Sequence, residues 1–262
     1  MTSARVCVLG PSGRMGRAVL EAARGRDDVR IAAAVDRPDA GGLGITVADG
    51  VVATADLQTG LAASDVYIDF TAPAATRAVA ELATRQRRAA VIGTTGLGPG
   101  DDAAIAELAR VAPIVIAANF SLGVNLVLGL VRQAARVLGP DWDAEVVEAH
   151  HRAKRDAPSG TALMIARAIA AGHGSDYDRV KRHGRDGEVG PRTRGEIGVS
   201  AVRGGDVIGE HTASFFGAAE RIEISHKATS REIFAAGALR AAAWVAGQPP
   251  GRYDMLDVLG LQ

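Results

Sequence analysis

The sequence has a single cysteine, Cys7, and no excess of either charge. One cysteine excludes an internal disulfide and is compatible with a reducing compartment. The 30 lysines and arginines balance 30 aspartates and glutamates, so no net charge favours binding to nucleic acid or to a membrane surface. Local positively charged sites are still compatible with this balance. No apolar run approaches the ~18 residues of a membrane span, and no signal segment opens the chain. We therefore expect a soluble, cytoplasmic protein.

Two common kinds of catalytic site are also missing. The sequence has no H-E-x-x-H or C-x-x-C spacing, and the adjacent His150 and His151 would diverge on a strand, so we expect no metal site. Ser159 lacks the G-x-S-x-G setting of a nucleophilic serine. Cys7 lies in an apolar run, which indicates a buried structural thiol.

A glycine-rich turn follows the first apolar stretch. Residues 5–9 read as a strand, residues 10–16 form the G-x-x-G-x-x-G turn, and a helix follows. These glycines permit a tight turn and close approach of a pyrophosphate. A second strand ends at Asp36, roughly 20 residues past the last glycine, where an acidic ribose ligand is expected. Asp36 suits the ribose hydroxyls of NAD, and Arg37 suits the 2′-phosphate of NADP, so the pair favours use of both cofactors. The alternative is that Asp36 is an ordinary turn residue and Arg37 a solvated side chain.

Three later strands also end in small or polar residues. We place them at 66–70, 89–92 and 113–117; they are followed by Thr71, by Gly93-Thr94-Thr95-Gly96 and by Ala118-Asn119-Phe120-Ser121. Ligands of parallel α/β sheets bind at the carboxyl ends of the strands, so these loops should line the nicotinamide side of the cofactor.

The strand–helix alternation stops after a long helix at 121–138. Strands are predicted at 145–151, 196–202, 207–209, 212–216 and 221–225 with little helix between them, which indicates an antiparallel or mixed sheet. The segment 172–195 is expected to be a loop region, with His173 and His183 as loop residues. An open sheet of this kind commonly buries its exposed face by oligomerising.

The predicted fold class is α/β: a Rossmann-type parallel-sheet dinucleotide domain plus a mixed-sheet α+β substrate and oligomerisation domain. We assign residues 1–121 and 231–262 to dinucleotide binding, and residues 122–230 to substrate binding and oligomerisation. A final helix at 231–246 and an apolar tail at 253–261 should pack on the first domain.

The stretch 145–162 concentrates chemically active side chains. His150 and His151 close a strand, Lys154 follows within a turn, and Ser159 has the features of an N-cap for an apolar helix. Gly160 and the exposed N–H groups of that helix start form an anion site. Each feature alone is more often structural, a packed histidine or an ordinary cap; their clustering indicates a carboxylate substrate beside a proton donor.

The motifs match a known family along essentially the whole chain. The matching residues include 10–16, Asp69-Phe70-Thr71, Gly93-Thr94-Thr95-Gly96, Asn119-Phe120-Ser121, Glu148-Ala149-His150-His151 with Lys154 and 156–162, Arg203-Gly204-Gly205-Asp206, and Gly209-Glu210-His211-Thr212. The sequence resembles the bacterial 4-hydroxy-tetrahydrodipicolinate reductases, also called dihydrodipicolinate reductases. Two departures are visible: Ala118 replaces a common proline, and Asp36 replaces the commoner glutamate.

The resemblance implies a homotetrameric oxidoreductase of lysine and diaminopimelate biosynthesis. Its reaction would reduce 4-hydroxy-tetrahydrodipicolinate to tetrahydrodipicolinate, with loss of water, using NADH or NADPH. His150 would be the proton donor and acceptor and Lys154 a proton donor, while His151, Gly160 and Thr161 would bind the cyclic dicarboxylate. The dinucleotide would be held by Gly10, Pro11, Ser12, Gly13, Arg14, Met15, Asp36, Arg37, Gly93, Thr94, Thr95, Ala117, Ala118, Asn119 and Phe120.

Two other functions fit the dinucleotide motif less well. A semialdehyde dehydrogenase acting through an acyl-enzyme needs a catalytic cysteine near its substrate, and Cys7 lies in the first strand. A dinucleotide-sensing regulator would be expected to carry a nucleic-acid-reading module or a basic face, and would have no use for His150 and Lys154 beside an anion site.

Overall fold

The computed structural model describes residues 3–261, which form two compact units. The first unit comprises residues 3–122 and Glu232–Gly260, and the second comprises Gly123–Arg231 and Leu261. Up to residue 138 the elements are β1 Ala4–Leu9, α1 Arg14–Ala22, β2 Val29–Val35, β3 Thr46–Ala48, β4 Val51–Thr54, α2 Leu57–Ala62, β5 Val66–Asp69, α3 Pro73–Gln86, β6 Ala89–Ile92, α4 Pro99–Val111, β7 Pro113–Ile116 and α5 Leu122–Leu138.

The remaining elements complete the second unit and return to the first. They are β8 Asp143–His150, α6 Gly160–Gly172, α7 Tyr177–Val180, β9 Lys181–His183, β10 Ile197–Arg203, β11 Gly209–Phe216, β12 Arg221–Ala228, α8 Glu232–Val245, β13 Gly251–Tyr253 and α9 Met255–Leu259. Within residues 3–261, none of the helices combines the length and hydrophobicity needed to cross a bilayer.

The first unit is built on an eight-stranded sheet in the order β13-β7-β6-β5-β1-β2-β4-β3, parallel except for the β3–β4 hairpin. Alternate side chains of β1 enter two separate cores. Val6 and Val8 pack in the core that also contains residues of α1 and α8, whereas Cys7 and Leu9 pack in the core formed with α2, α3 and α4. The predicted Rossmann-type parallel sheet, covered by helices on both faces, is confirmed.

Several short elements of the first unit were not predicted from the sequence. The β3–β4 hairpin and α2 lie in a stretch with no clear hydrophobic period, and β13 extends the sheet by pairing in parallel with β7. Strands of three or four residues depend on backbone pairing with distant partners rather than on a local pattern. The expectation for the tail is confirmed, because Met255 and Val258 of α9 are buried in the first unit's core.

The second unit carries a five-stranded mixed sheet in the order β12-β11-β8-β10-β9. β8, β10 and β9 are parallel, and β11 is antiparallel to both β8 and β12. Helix α6 packs across β8, β10 and β11 on one face. Alternate residues of β8, ending with Glu148 and His150, are buried. The pairing register places Val147, Val202 and Phe216 on the other face, where their exposed fractions are 43%, 52% and 36%.

Three details of the second unit differ from the sequence-based expectations. Residues 207–209 form no separate strand, because Gly209 begins β11. The segment 172–195 contains α7 and β9 rather than loop alone, and His183 lies on β9 with its Nε2 2.9 Å from the Tyr177 hydroxyl. Strand β8 ends at His150 instead of His151. The three-residue β9 is stabilised by its pairing with β10. This contact is long-range, so no local hydrophobic pattern predicts it.

Candidate active site

The glycine turn between β1 and α1 has the conformation that its sequence indicates. Gly10 adopts a φ of +66°, in the left-handed region that favours glycine. The N–H of Gly13 donates to the Gly10 carbonyl at 2.9 Å. A Cβ added at Gly16 would overlap the Gly10 carbonyl oxygen, so only glycine fits there. Helix α1 starts at Arg14 without a side-chain cap at Gly13, which leaves its first N–H groups available to an anion.

A cleft of about 420 Å³ opens beside this turn. It is lined by Gly10, Ser12, Gly13, Arg14, Met15, Gly16, Asp36, Arg37, Ala40, Gly41, Phe70 and Thr71. The structure therefore gathers seven of the predicted cofactor residues around one cavity, while Pro11 and the predicted residues after β6 and β7 are not among its walls. Ala40 and Gly41 were missed, since nothing in the residues after Arg37 indicated that the loop turns back to the cleft.

Asp36 lies at the end of β2 and is bonded to the turn. Its Oδ2 accepts a hydrogen bond from the Ser12 N–H at 3.1 Å, and its Oδ1 accepts one from the Arg37 N–H at 2.9 Å. The Arg37 guanidinium forms an ion pair with Asp39 at 3.2 Å, and both side chains are about three-quarters exposed. An exposed pair of this kind is weak, so Arg37 is available to another anion.

A buried carboxylate joins the ends of β5 and β6. Asp69 is fully buried, and its Oδ1 accepts hydrogen bonds from the Thr71 N–H at 2.8 Å, the Thr71 hydroxyl at 2.6 Å and the Thr94 hydroxyl at 3.2 Å. The Thr76 hydroxyl donates to the Thr94 oxygen at 2.9 Å. The Thr94 side chain is thus occupied within the protein, while its neighbour Thr95 is exposed.

The three strand ends converge on Phe70. A Cβ added at Gly93 would overlap the Phe70 ring, and the ring packs edge-on against Phe120 with centroids 5.4 Å apart. Phe120 and Asn119 are buried, Ala117 is half-buried, and Ala118 is exposed. The ends of β5, β6 and β7 are therefore neighbours, as their order in the parallel sheet requires.

In the second unit, His150 is held by a buried carboxylate on its own strand. Its Nδ1 lies 2.7 Å from Glu148 Oε2, and the two residues share a face of β8 because they are two positions apart. Arg203, paired with His150 across β8 and β10, donates to the two Glu148 oxygens at 2.7 and 2.9 Å. Burial raises the pKa of Glu148, but hydrogen bonds from Arg203, His150 and Ser159 outweigh burial and hold this pKa below its ordinary value.

The predicted N-cap of α6 is confirmed. The Ser159 hydroxyl accepts from the Ala162 N–H at 3.2 Å, and the Ser159 N–H donates to Glu148 Oε1 at 2.9 Å. The Ser159 oxygen also lies 3.0 Å from His211 Nε2. Gly160 is exposed and Thr161 is half-buried at the helix start. The N-cap residue of α6, Ser159, is thus hydrogen-bonded to Glu148, the carboxylate that holds His150.

His211 packs against His150 with ring centroids 5.2 Å apart and nearly perpendicular planes. Burial, followed by the neighbouring His150, lowers the pKa of His211 from 6.5 to about 4. His211 is therefore neutral at physiological pH. The sequence-based assignment missed Glu148, Arg203 and His211 as parts of the site. The Glu-x-His spacing at 148–150 was the available signal, since side chains two apart on a strand share a face.

Lys154 lies in the turn that follows β8. Its N–H donates to the His151 carbonyl at 3.1 Å, and its Nζ donates to Asp156 at 2.9 Å. The Lys154 side chain is 20% exposed, and its charge contributes to the lowered pKa of His211. His151 is half-buried and lies just past the end of the strand. The structure thus groups His150, Lys154 and the start of α6 within one segment of the second unit.

The chain is similar to known proteins along nearly its whole length. Residues 4–120 match the family model described as dihydrodipicolinate reductase, N-terminus, and residues 123–259 match dihydrodipicolinate reductase, C-terminus. A 4-hydroxy-tetrahydrodipicolinate reductase from Alkalilimnicola ehrlichii is 50% identical over 264 residues, covering 98% of this chain and 99% of the relative. One from Dinoroseobacter shibae is 49% identical over 263 residues, covering 98% of each.

A solved structure shows the same fold along both units. Dihydrodipicolinate reductase from Paenisporosarcina sp. TG-14, solved with dipicolinate bound, superposes with a TM-score of 0.82 at 25% identity and covers 97% of this chain and 98% of its own. Since two family models together span nearly the whole sequence and relatives at about half identity cover 98% of it, the chain belongs to the 4-hydroxy-tetrahydrodipicolinate reductase family.

Proposed function

We propose that this protein catalyses the NAD(P)H-dependent reduction of 4-hydroxy-tetrahydrodipicolinate to tetrahydrodipicolinate, with loss of water, in the pathway to diaminopimelate and lysine. The observation that carries the proposal is the fixed His150 next to the start of α6 in a chain of this reductase family. The dipicolinate bound by the Paenisporosarcina relative supports a cyclic dicarboxylate as the ligand.

The first unit is proposed to bind the dinucleotide. The 420 Å³ cleft offers a glycine turn and an uncapped helix start for the pyrophosphate. Asp36 would meet the ribose, and Arg37 would meet the 2′-phosphate when NADPH is bound. Residues 93–95 and 117–120 are proposed to complete the nicotinamide side. The residues present therefore fit either cofactor.

The second unit is proposed to bind and protonate the substrate. The bound NADH or NADPH supplies the hydride, and the reduced ring must then take up a proton. His150 gives that proton from Nε2, because Nδ1 is occupied by Glu148. Lys154 attracts a substrate carboxylate and stabilises developing negative charge. Gly160 and Thr161 hold a carboxylate at the start of α6, and His151 contacts the same ligand.

A homotetramer in the cytoplasm is the proposed state of the protein. The uncovered face of the second unit's sheet exposes Val147, Val202 and Phe216, and burial of such a face by another copy removes apolar surface from water. Light scattering after size-exclusion chromatography measures the assembly directly. A monomeric mass at micromolar concentration would contradict the tetramer.

The function is tested by following oxidation of NADPH and of NADH at the nicotinamide absorbance. The cyclic substrate is generated in situ from pyruvate and aspartate semialdehyde by the preceding pathway enzyme. Turnover with either cofactor, abolished when that enzyme is omitted, is the expected result. Tight dinucleotide binding without turnover would overturn the substrate assignment while leaving the dinucleotide site intact.

A further inference from the structure

The Glu148 carboxylate, next to His150, forms several hydrogen bonds with its neighbours. It is fully buried and binds His150 Nδ1, two nitrogens of Arg203 and the Ser159 N–H. We propose that Glu148 is a positioning residue with two effects. It determines which nitrogen of the His150 ring exchanges the proton, and it fixes the position of the first residues of α6. This inference rests on the proposed function, because it gives the proposed proton donor and anion site a common support.

The Glu148 carboxylate determines which ring nitrogen of His150 is free. An ionised carboxylate only accepts hydrogen bonds, so His150 donates from Nδ1 and keeps Nε2 for proton exchange. Nε2 lies against Gly209, where an added Cβ would come within 3.0 Å of it. The bare glycine leaves room for the ring in this orientation. Glu148 therefore selects the working nitrogen without touching the substrate.

Arg203 is the cationic partner of the Glu148 carboxylate. Its two parallel hydrogen bonds to Glu148 keep the buried carboxylate ionised, and its Nη2 also donates to the Asp156 carbonyl at 2.7 Å. Arg203 thus ties the loop after β8 to the carboxylate. Without it, Glu148 would be a buried charge lacking its strongest partner, which proteins avoid by taking up a proton.

Glu148 also contacts the segment that is proposed to bind the substrate. Glu148 Oε1 holds the N–H of Ser159, the residue that caps α6. The distance between His150, the proposed proton donor, and the anion site at Gly160 is consequently fixed by their shared contact with Glu148. It does not depend on the intervening loop alone. Catalysis depends on holding reacting groups within a fraction of an ångström, and a shared support achieves this for both groups.

The charged and titratable groups around His150 define what a pH profile reports. Glu148 faces it from the same strand, Arg203 from β10 and His211 from β11. Lys154 follows in the turn after β8, and His226 on β12 pairs with His211. Among these groups, all within the described part of the chain, Glu148 alone forms a hydrogen bond with the His150 ring.

The experiment compares Glu148→Gln with Glu145→Gln in the full-length protein. Glu145 lies on the same strand with the opposite orientation, ion-paired to Arg185 and Arg192, and is the matched control. The amide introduced by Glu148→Gln keeps an acceptor for the Ser159 N–H but offers a donor to Nδ1. A donor there disfavours the charged ring and moves the proton of the neutral ring to Nε2.

The expected kcat of Glu148→Gln is lower on the order of 100-fold, with the KM for the dinucleotide unchanged. The basic limb of its kcat–pH profile moves to lower pH. Glu145→Gln stays within about twofold of the parent protein. A folded Glu148→Gln protein with parental kcat and parental pH profile would overturn the inference, as would an equal loss of kcat in both variants.

A readout independent of turnover separates this inference from the proposed function. The ¹⁵N chemical shifts of the His150 ring, assigned by their loss in His150→Gln, report which nitrogen carries the proton. A protonated Nδ1 in the parent and a protonated Nε2 in Glu148→Gln support the inference even if the proposed substrate is not reduced. An unchanged tautomer overturns it. If Glu148→Gln fails to fold, Glu148→Gln/Arg203→Gln removes the uncompensated charge, and the same shifts decide.

Discussion

The carboxylate of Asp36 accepts a hydrogen bond from the backbone N–H of Ser12 at 3.1 Å, which ties the end of β2 to the glycine turn. Its other oxygen accepts from the Arg37 N–H. Asp36 therefore shapes the turn in addition to its proposed role at the ribose. The side chain of Arg37 is left with a solvent-exposed partner, Asp39.

Replacing Arg37 with alanine should weaken NADPH more than NADH. Loss of a charge-assisted contact to the 2′-phosphate costs about 1.5 kcal/mol, or roughly tenfold in KM for NADPH, with little change for NADH. Steady-state kinetics with both cofactors measure the ratio. Asp39→Asn is the matched control, because it releases Arg37 from its ion pair and should lower the KM for NADPH. Equal effects of Arg37→Ala on both cofactors would contradict the proposed contact.

The two proposed catalytic residues should separate kinetically. His150→Ala removes the proton donor and should mainly lower kcat, on the order of 100-fold or more. Lys154→Ala removes a charge that both binds and stabilises, so it should raise the KM for the cyclic dicarboxylate and lower kcat together. Arg155→Ala, at an exposed position next to Lys154, is the control and should change neither constant. Near-normal constants in both active-site variants would refute these roles.

Gly237→Ala should displace residues 117–120, which are proposed to lie on the nicotinamide side of the cofactor. Gly237 is buried in α8, and an added Cβ would overlap the Phe120 carbonyl oxygen. Overpacking of this kind costs about 1–3 kcal/mol of unfolding free energy, and displacement of Phe120 should also raise the KM for the dinucleotide. Urea denaturation and cofactor titration measure the two effects. Gly247→Ala, whose added Cβ meets nothing closer than 3.9 Å, should leave both unchanged.

The stability of the protein should fall in mild acid because of His211. This residue is 4% exposed, and burial, followed by the neighbouring His150, lowers its pKa from 6.5 to about 4. His226 and Lys154 act in the same direction, and Glu148 opposes them. Between pH 6.5 and about 4 the unfolded chain binds a proton at this position and the folded chain does not. The free energy of unfolding therefore decreases as the pH falls through this window, by up to about 1.4 kcal/mol per pH unit.

Urea denaturation of the parent protein and of His211→Gln between pH 7 and pH 4 tests this point. The variant should lose that part of the pH dependence. Ser159→Ala keeps the histidine but loses its hydroxyl partner and the helix cap, so its stability should drop by about 1 kcal/mol at every pH with the slope retained. A slope unchanged in His211→Gln would show that other groups govern the acid sensitivity.

Local chemistry made much of the first unit predictable. The turn at Gly10 needs a left-handed residue, and the strand before it is buried on both faces, so the strand, turn and helix follow from neighbouring residues. The same holds for the cap at Ser159, whose oxygen reaches an N–H only three residues away. Such features depend on backbone stereochemistry and short-range hydrogen bonds, which a sequence displays directly.

The sequence by itself determined the parallel sheet, the glycine turn and the segment that contains His150, Lys154 and the start of α6. Only the tertiary structure decided which side chains hold that segment. Arg203 reaches Glu148 across 55 residues, and His211 reaches Ser159 across 52. These contacts follow from the register of β10 and β11 against β8, and a register is fixed by pairing between distant strands rather than by any local pattern.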